Sequence, residues 1–121
     1  MLQKALGRWT LQGLFVELRF QAVRVVEGGN PSYEALYLLG YARKAGKYVL
    51  HLFDTFGVTS RHVPGIGARD RNRIRFEFAY DAGRFVHEFT WHPERRTWTL
   101  VPTYEADGAT GVFAKKEMTP A

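Results

Sequence analysis

The stretch IRFEFAYDAGRFVHEFTWHPERRTWTLVPTY, residues 74–104, decides the fold of this chain. Apolar and polar residues alternate through three successive segments, and a period of two is the pattern of half-buried strands. Between the segments lie turn-forming residues, with a glycine in the first gap and a proline in the second. The alternation predicts three antiparallel strands that share one apolar, mainly aromatic face.

The loops between these strands also predict their register. One residue of slip would exchange the two faces of a strand, so each loop must hold an even number of residues. A four-residue loop over 93–96 would place Trp91 opposite Trp98. A loop of two or four residues around the earlier glycine would place Phe78 opposite His87. We therefore expect a continuous aromatic wall with one imidazole in it.

The same pattern extends along the rest of the chain and predicts about eight strands. They fall near 8–13, 14–26, 33–42, 47–54, 57–63, 73–80, 85–92 and 97–104, with a further strand over 111–116. Residues 2–6 read as a single helical turn, and residues 64–72, rich in glycine and charge, read as a loop. No linker, repeat or low-complexity run is present, so we expect residues 1–121 to form one domain.

The hairpin over residues 33–54 is apolar on both faces. A loop over 43–46 would pair Tyr41 with Tyr48 on one face, while leucine and phenylalanine side chains pair on the other. Only one side of a barrel strand faces the interior, so the second apolar side requires a cover. This predicts a homodimer in which the outer faces of two such hairpins meet.

Composition and charge limit the function classes. The chain has 121 residues, of which 45% are apolar and 15% aromatic, and it contains no cysteine, which excludes disulfides and thiolate chemistry. No signal-peptide pattern and no apolar run of about 20 residues occurs, so we expect a cytoplasmic protein without a membrane partner. The net charge of +5 is spread over the predicted turns, where it favours solvation.

Two segments carry a resemblance: GRWTLQGLFVELRF at 7–20 and YLLGYARKAGKYVLHLFDTFG at 37–57. They resemble a bacterial family of uncharacterised proteins with a lipocalin-like, or calycin, β-barrel. The matching positions are Trp9, Gly13, Leu39, Gly40, Tyr41, Tyr48, Asp54 and Gly57. The resemblance implies an all-β, antiparallel lipocalin-like barrel or half-barrel, with no catalytic residue, cofactor or established ligand.

The N-terminal segment departs from that family. Gly7-Arg8-Trp9 has the spelling of the family's first strand, yet its distance to Gly13 suits the second strand better. We therefore expect the barrel to lack its first strand. The edge left open would invite pairing with another chain, which is a second reason to expect a homodimer.

The expected inner wall supplies the candidate ligand-binding residues. They are His87, Phe76, Phe78, Tyr80, Phe89, Trp91, Trp98 and Tyr104. His87 is the only strongly polar side chain among the central ones, and three roles stay open for it: a hydrogen-bonded core histidine, a group that orients a ligand, or an axial haem ligand. We expect no cofactor.

Catalytic and metal sites find little support in the sequence. The four histidines lack short metal-ligand spacing, so we expect no metal site. Glu77 and Glu88 point outward in the expected register, and no nucleophile stands beside a base, so we expect no enzyme. The glycines at 65 and 67 precede a strand rather than a helix, unlike a phosphate-binding loop.

These observations predict a protein that binds a small apolar or aromatic molecule non-covalently inside the barrel. The alternative is a structural or protein-interaction module with a filled barrel that acts as a homodimer. Nucleic-acid binding is less favoured, because the aromatic and basic residues segregate to opposite faces and single-strand binding needs exposed aromatic platforms.

Overall fold

The computed structural model describes residues 3–22, 34–55, 57, 62–80, 83–106, 109–112 and 116–118. Within these ranges the regular structure is all β, and no helix has the length and apolar character needed to cross a bilayer. The strands are β1 (Gln3–Thr10), β2 (Phe15–Ala22), β3 (Glu34–Ala42), β4 (Lys47–Asp54), β5 (Gly65–Asp70), β6 (Arg73–Tyr80), β7 (Gly83–His92), β8 (Thr97–Ala106), β9 (Ala109–Val112) and β10 (Lys116–Met118).

All strands belong to one antiparallel sheet that curls into a half-barrel. Strands β1 to β8 follow one another in chain order, and β9 and β10 both pair with β8. In the described part of the chain β1 pairs only with β2, and β10 only with β8, so these strands form the two edges. The expected all-β barrel or half-barrel is confirmed.

The concave face of the sheet holds the core. The alternation predicted from the sequence is clear in the middle of β6, where Phe76 and Phe78 have no exposed surface while Arg75 and Glu77 lie outside, but Tyr80 at its end is 38% exposed. Aromatic rings interlock across neighbouring strands, as where Phe76 meets Phe89 edge-on at a centroid distance of 5.9 Å. The largest fully buried side chains are Tyr37, Phe20, Phe76, Phe78, Leu50 and Leu100. The middle of the half-barrel is therefore solid.

Two of the three predicted registers are confirmed. Trp91 pairs with Trp98 across the β7–β8 turn, and Tyr41 pairs with Tyr48 across the β3–β4 turn. In both hairpins a four-residue turn conserves the alternation of faces, as expected.

The register of the β6–β7 hairpin differs from the prediction by two residues. Phe78 pairs with Phe85 rather than with His87, and His87 pairs with Phe76. Gly83 is a strand residue here, and a β-carbon on it would lie 2.9 Å from the Tyr104 hydroxyl oxygen. A shift of two leaves every side chain on its expected face.

The N-terminal segment differs from its prediction. The expected helical turn at 2–6 is wrong, because β1 begins at Gln3, and the expected strand over 8–13 ends early. Leu11, Gln12 and Gly13 have positive φ angles of 49°, 60° and 76°, and three consecutive left-handed residues reverse the chain. The apolar Leu11 and Leu14 imitate strand residues in the sequence but occupy the turn.

The expected loop over 64–72 is wrong for most of its length, because β5 occupies Gly65–Asp70. The expected strand near 57–63 is not found at Gly57 or His62, and 58–61 lie outside the described residues. The expected strand over 14–26 is observed as Phe15–Ala22, and its remainder lies outside that description.

Candidate functional site

Four hairpin turns gather at one end of the half-barrel, which we call the open end. In an antiparallel sheet with strands in chain order, alternate connections lie at the same end. The turns that follow β1, β3, β5 and β7 therefore share this end, and they span 11–14, 43–46, 71–72 and 93–96.

The concave face forms a cavity of about 350 Å³ that opens to solvent towards the open end, and we call it the apolar cavity. Its wall draws side chains from eight of the ten strands, including the two edge strands β1 and β10. The lining residues are Trp9, Leu14, Val16, Leu18, Leu39, Gly40, Tyr41, Tyr48, Ile74, Phe89, Trp98 and Met118. The two ends of the sheet thus face each other across this space.

Several large aromatic side chains of this wall are left in contact with solvent. Trp9 is 72% exposed, Tyr41 53% and Trp98 37%, although tryptophan and tyrosine bury much of their surface in most folds. Leu14, in the β1–β2 turn, adds another exposed apolar group to the same wall. A concave cluster of exposed apolar groups is typical of a binding surface.

A second space of about 350 Å³ adjoins the apolar cavity and shares Tyr48, Ile74 and Trp98 with it. Its other wall is polar and carries Arg69, Arg71 and Asn72, with Trp91 alongside. We call it the basic mouth. The Nε atom of Arg69 donates a hydrogen bond of 2.9 Å to the carbonyl oxygen of Arg71, which fixes the root of this guanidinium group.

The sequence-predicted ligand-binding residues are divided among four regions. Phe89 and Trp98 line the apolar cavity, and Trp91 lines the basic mouth. Tyr80 and Tyr104 lie near the opposite end, where the ring of Phe85 contacts both, at centroid distances of 5.3 Å and 4.7 Å. The pKa of Tyr80 is raised, first by burial and then by the charge of Asp54.

The other three predicted residues belong to the solid middle. His87 is only 6% exposed, and its ring meets Phe78 at 5.2 Å and Tyr37 at 5.8 Å, edge-on in both cases. Phe76 and Phe78 are fully buried beside it. The imidazole faces the interior as expected, but it does not line the apolar cavity or the basic mouth.

Much of the cavity wall was not predicted. Trp9, Val16 and Leu18 come from β1 and β2, whose alternation is obscured in the sequence by the apolar turn between them. Placing the turn at 11–14 would have paired Trp9 with Val16 and assigned both residues to the concave side.

The convex face carries a stack of three rings. His62 lies parallel to Phe53 at 4.8 Å, and its Nε2 atom lies 2.9 Å from Nδ1 of His51, so the two imidazoles share a hydrogen bond. Burial, and then the charge of His62, lower the pKa of His51. Two imidazoles do not complete a metal site, and the described residues contain no group of three or more histidine or acidic side chains that could hold an ion.

The carboxylates that carry ion pairs lie on the convex face. Glu77 lies 3.6 Å from Arg75 and from Arg84, and Glu17 lies 2.6 Å from Arg8 and 3.4 Å from Arg19. Although its side chain is only 10% exposed, Glu17 has a lowered pKa, because Arg8 and then Arg19 hydrogen-bond its charged form. These carboxylates stabilise the outside of the sheet and do not face the apolar cavity.

Comparison with known proteins found no matching family model, no matching curated protein and no matching solved structure. The fold is therefore shown by the strand pairing alone, and the resemblance to a bacterial lipocalin-like family stays an expectation.

Proposed function

We propose that this protein binds a small apolar or aromatic molecule non-covalently in the apolar cavity. The observation that carries the proposal is the exposure of Trp9, Tyr41 and Trp98 on a concave wall. A ligand seated there would remove these surfaces from water, and burial of apolar area stabilises a complex by roughly 25 cal/mol per Å² before the costs of association.

The chemistry of the wall favours binding without reaction. Its polar side-chain groups are the hydroxyls of Tyr41 and Tyr48 and the indole N–H groups of Trp9 and Trp98; among the described residues of the wall there is no carboxylate, imidazole, thiol or aliphatic hydroxyl. Such groups orient a ligand by hydrogen bonds but do not supply acid–base or covalent catalysis. A volume of about 350 Å³ lies near the lower end of ligand-binding cavities, so a compact ligand fits best.

A neutral aromatic probe tests this proposal. N-phenylnaphthylamine fluoresces strongly in apolar surroundings, so titration with the protein should raise its emission and shift it to the blue. Val16→Trp should fill the apolar cavity and weaken binding at least tenfold. Ile66→Trp is the matched control, because Ile66 is 46% exposed on the convex face and the same residue is introduced.

Two outcomes of the probe titration would contradict the proposal. If the unmodified protein does not enhance the emission, or if the two tryptophan variants bind the probe equally well, the apolar cavity is not a ligand site. Native mass spectrometry of freshly purified protein gives a second readout, because a co-purified small molecule would appear as a defined mass increase.

The second candidate is an interaction module that forms a homodimer through its convex face. Leu38 pairs with His51 and Leu36 with Phe53, on the side opposite the buried core residues, and Phe53 is 41% exposed. An apolar outer face of this kind favours a partner surface. We retain the cytoplasm as the expected compartment, because the chain lacks cysteine.

A further inference from the structure

We propose that the ligand of the apolar cavity is a compact amphipathic anion, whose carboxylate, sulfonate or similar group is bound at the basic mouth by Arg69 and Arg71. This inference rests on the proposed function and specifies its ligand class. The apolar body would occupy the cavity, and the charged group would lie where the cavity meets the mouth.

The strand register brings Arg69 to the concave side. Arg69 pairs with Ile74, which lines the apolar cavity, and it shares its face of β5 with Gly65 and Gly67. Both glycines are covered by the rings of Phe78 and Phe76. On this face of β5, Gly65 and Gly67 therefore leave the packed interior to the rings, and Arg69 places a guanidinium group at the rim.

Local geometry holds the two arginines together. Arg71 adopts a left-handed conformation with φ of 55° in the two-residue turn, and its carbonyl oxygen accepts the 2.9 Å hydrogen bond from Arg69 Nε. That bond uses one donor of Arg69, and the two Nη groups keep the planar fork that matches an oxyanion. Asn72 supplies a further amide beside them.

Arg69 and Arg71 differ from the arginines of the convex face in their ion pairing. Arg8, Arg73 and Arg84 each lie within 4 Å of a glutamate. Arg69 and Arg71 form no ion pair with any residue that the structure describes. A cation that the protein does not neutralise, next to an apolar cavity, attracts anions that also carry an apolar body.

The anion could be a free amphiphile or the headgroup of a membrane lipid, and both share an oxyanion next to hydrocarbon. Free decanoate and vesicles containing phosphatidylglycerol separate these sources. Decanoate that displaces a bound probe supports a free ligand. Anionic vesicles that displace the probe while sedimenting the protein support a lipid source.

A pair of probes with the same rings tests the inference. Anilinonaphthalene sulfonate carries the ring system of N-phenylnaphthylamine together with a sulfonate. The affinity for the sulfonate probe divided by the affinity for the neutral probe therefore isolates the contribution of the charge. We expect Arg69→Gln/Arg71→Gln to lower this ratio about tenfold, equivalent to about 1.4 kcal/mol, and added salt to lower it in the unmodified protein.

Arg43→Gln/Lys44→Gln is the matched control, because it removes the same two positive charges from another exposed turn at the open end, whose residues do not line the mouth. A ratio that is unchanged in the double variant, or lowered as much in the control, would overturn the inference while the neutral probe still binds. Failure of both decanoate and the anionic vesicles to displace the sulfonate probe would also overturn it. If neither probe binds the unmodified protein, the proposed function fails as well.

Discussion

The ring of Phe78 lies directly over the backbone of Gly65, so that a β-carbon at Gly65 would stand only 2.6 Å from the ring Cζ atom. Real β-carbons do not come this close to another heavy atom, and the ring is fully buried and cannot swing aside. The same relationship recurs one pair along β5, where Phe76 lies over Gly67. The glycines in β5 are thus required by the aromatic side chains of β6.

Gly65→Ala should therefore destabilise the fold by about 1–3 kcal/mol, the usual cost of forcing extra atoms into a packed core. The measurement is the free energy of unfolding by urea titration. Phe78→Leu removes the ring, so the double variant Gly65→Ala/Phe78→Leu should lose less stability than the sum of the two single changes. Additive losses would show that the ring does not set the requirement for glycine at this position.

Glu17 should make the stability of the protein sensitive to acid. Its pKa is lowered from the ordinary value of 4.5, chiefly by the hydrogen bond from Arg8, so the folded state binds its proton less readily than the unfolded chain does. The stabilisation is complete above pH 4.5 and is lost as the pH falls through the lower pKa of the folded state. Glu17→Gln should lower Tm at pH 7 and have little effect at pH 2.

Glu94→Gln serves as the control for this prediction, because Glu94 lies exposed in the β7–β8 turn and forms no ion pair within the described residues. It should change Tm at pH 7 less than Glu17→Gln does. Equal Tm values for the two variants at pH 7 would remove the special role of the Glu17 ion pairs.

The pKa of His51 on the convex face should respond to substitution of its partner, His62. The pKa of His51 is lowered from the ordinary 6.5 by burial first and by the charge of His62 second. The folded state therefore takes up this proton less readily than the unfolded chain, and stability should fall as the pH drops below 6.5. His62→Gln should raise the pKa of His51, but only part of the way, because burial remains.

Titration of the imidazole C–H resonances by NMR measures this shift directly. A substitution that spares the imidazole pair, Glu94→Gln in the exposed β7–β8 turn, is the control and should leave the pKa of His51 unchanged. A return of the His51 pKa to 6.5 or above would show that burial does not contribute at this position.

The homodimer expected from the sequence can be tested on the convex face. Leu36→Lys should convert a dimer to a monomer, because Leu36 lies opposite Arg19 and a lysine ammonium group cannot be buried unpaired in an apolar contact. Sedimentation velocity at several concentrations measures the change. Leu14→Lys is the matched control at the open end, where Leu14 is 63% exposed. A monomer at high concentration, or a dimer broken only by the control, would contradict the expected interface.

The central hairpins could be predicted from the sequence because local signals agree there. In β7 and β8 the alternation is long, and the four-residue turn admits only one register that keeps Trp91 and Trp98 on the same face. The β6–β7 hairpin shows the limit of this reasoning. The alternation of faces predicts the side of the sheet on which Phe78 lies but not the residue with which it pairs, because registers that differ by two residues satisfy the same pattern.

β5 was missed because the reason for its glycines lies in another strand. Gly65 and Gly67 resemble loop residues when only their neighbours in the chain are considered. Their side-chain space is filled by Phe78 and Phe76, and this arrangement becomes visible only after β5 and β6 have been paired. Propensity is overridden here by packing between strands.

The candidate site was predicted in part, for a related reason. Phe89 and Trp98 belong to strands with clear alternation, and they line the apolar cavity. Trp9 and Tyr41 complete the wall from the other half of the chain, and their contribution depends on how far the sheet curls. Curvature is a property of the whole sheet, which no local pattern specifies.

The apolar cavity joins Trp9 on β1 to Met118 on β10. A nascent chain therefore cannot assemble this wall until β10 has been synthesised and has docked on β8. Ligand binding should thus appear only in the completed fold. Contacts between such distant parts of a chain are slow to form, so the recovery of ligand binding during refolding should follow the slow pairing of these strands.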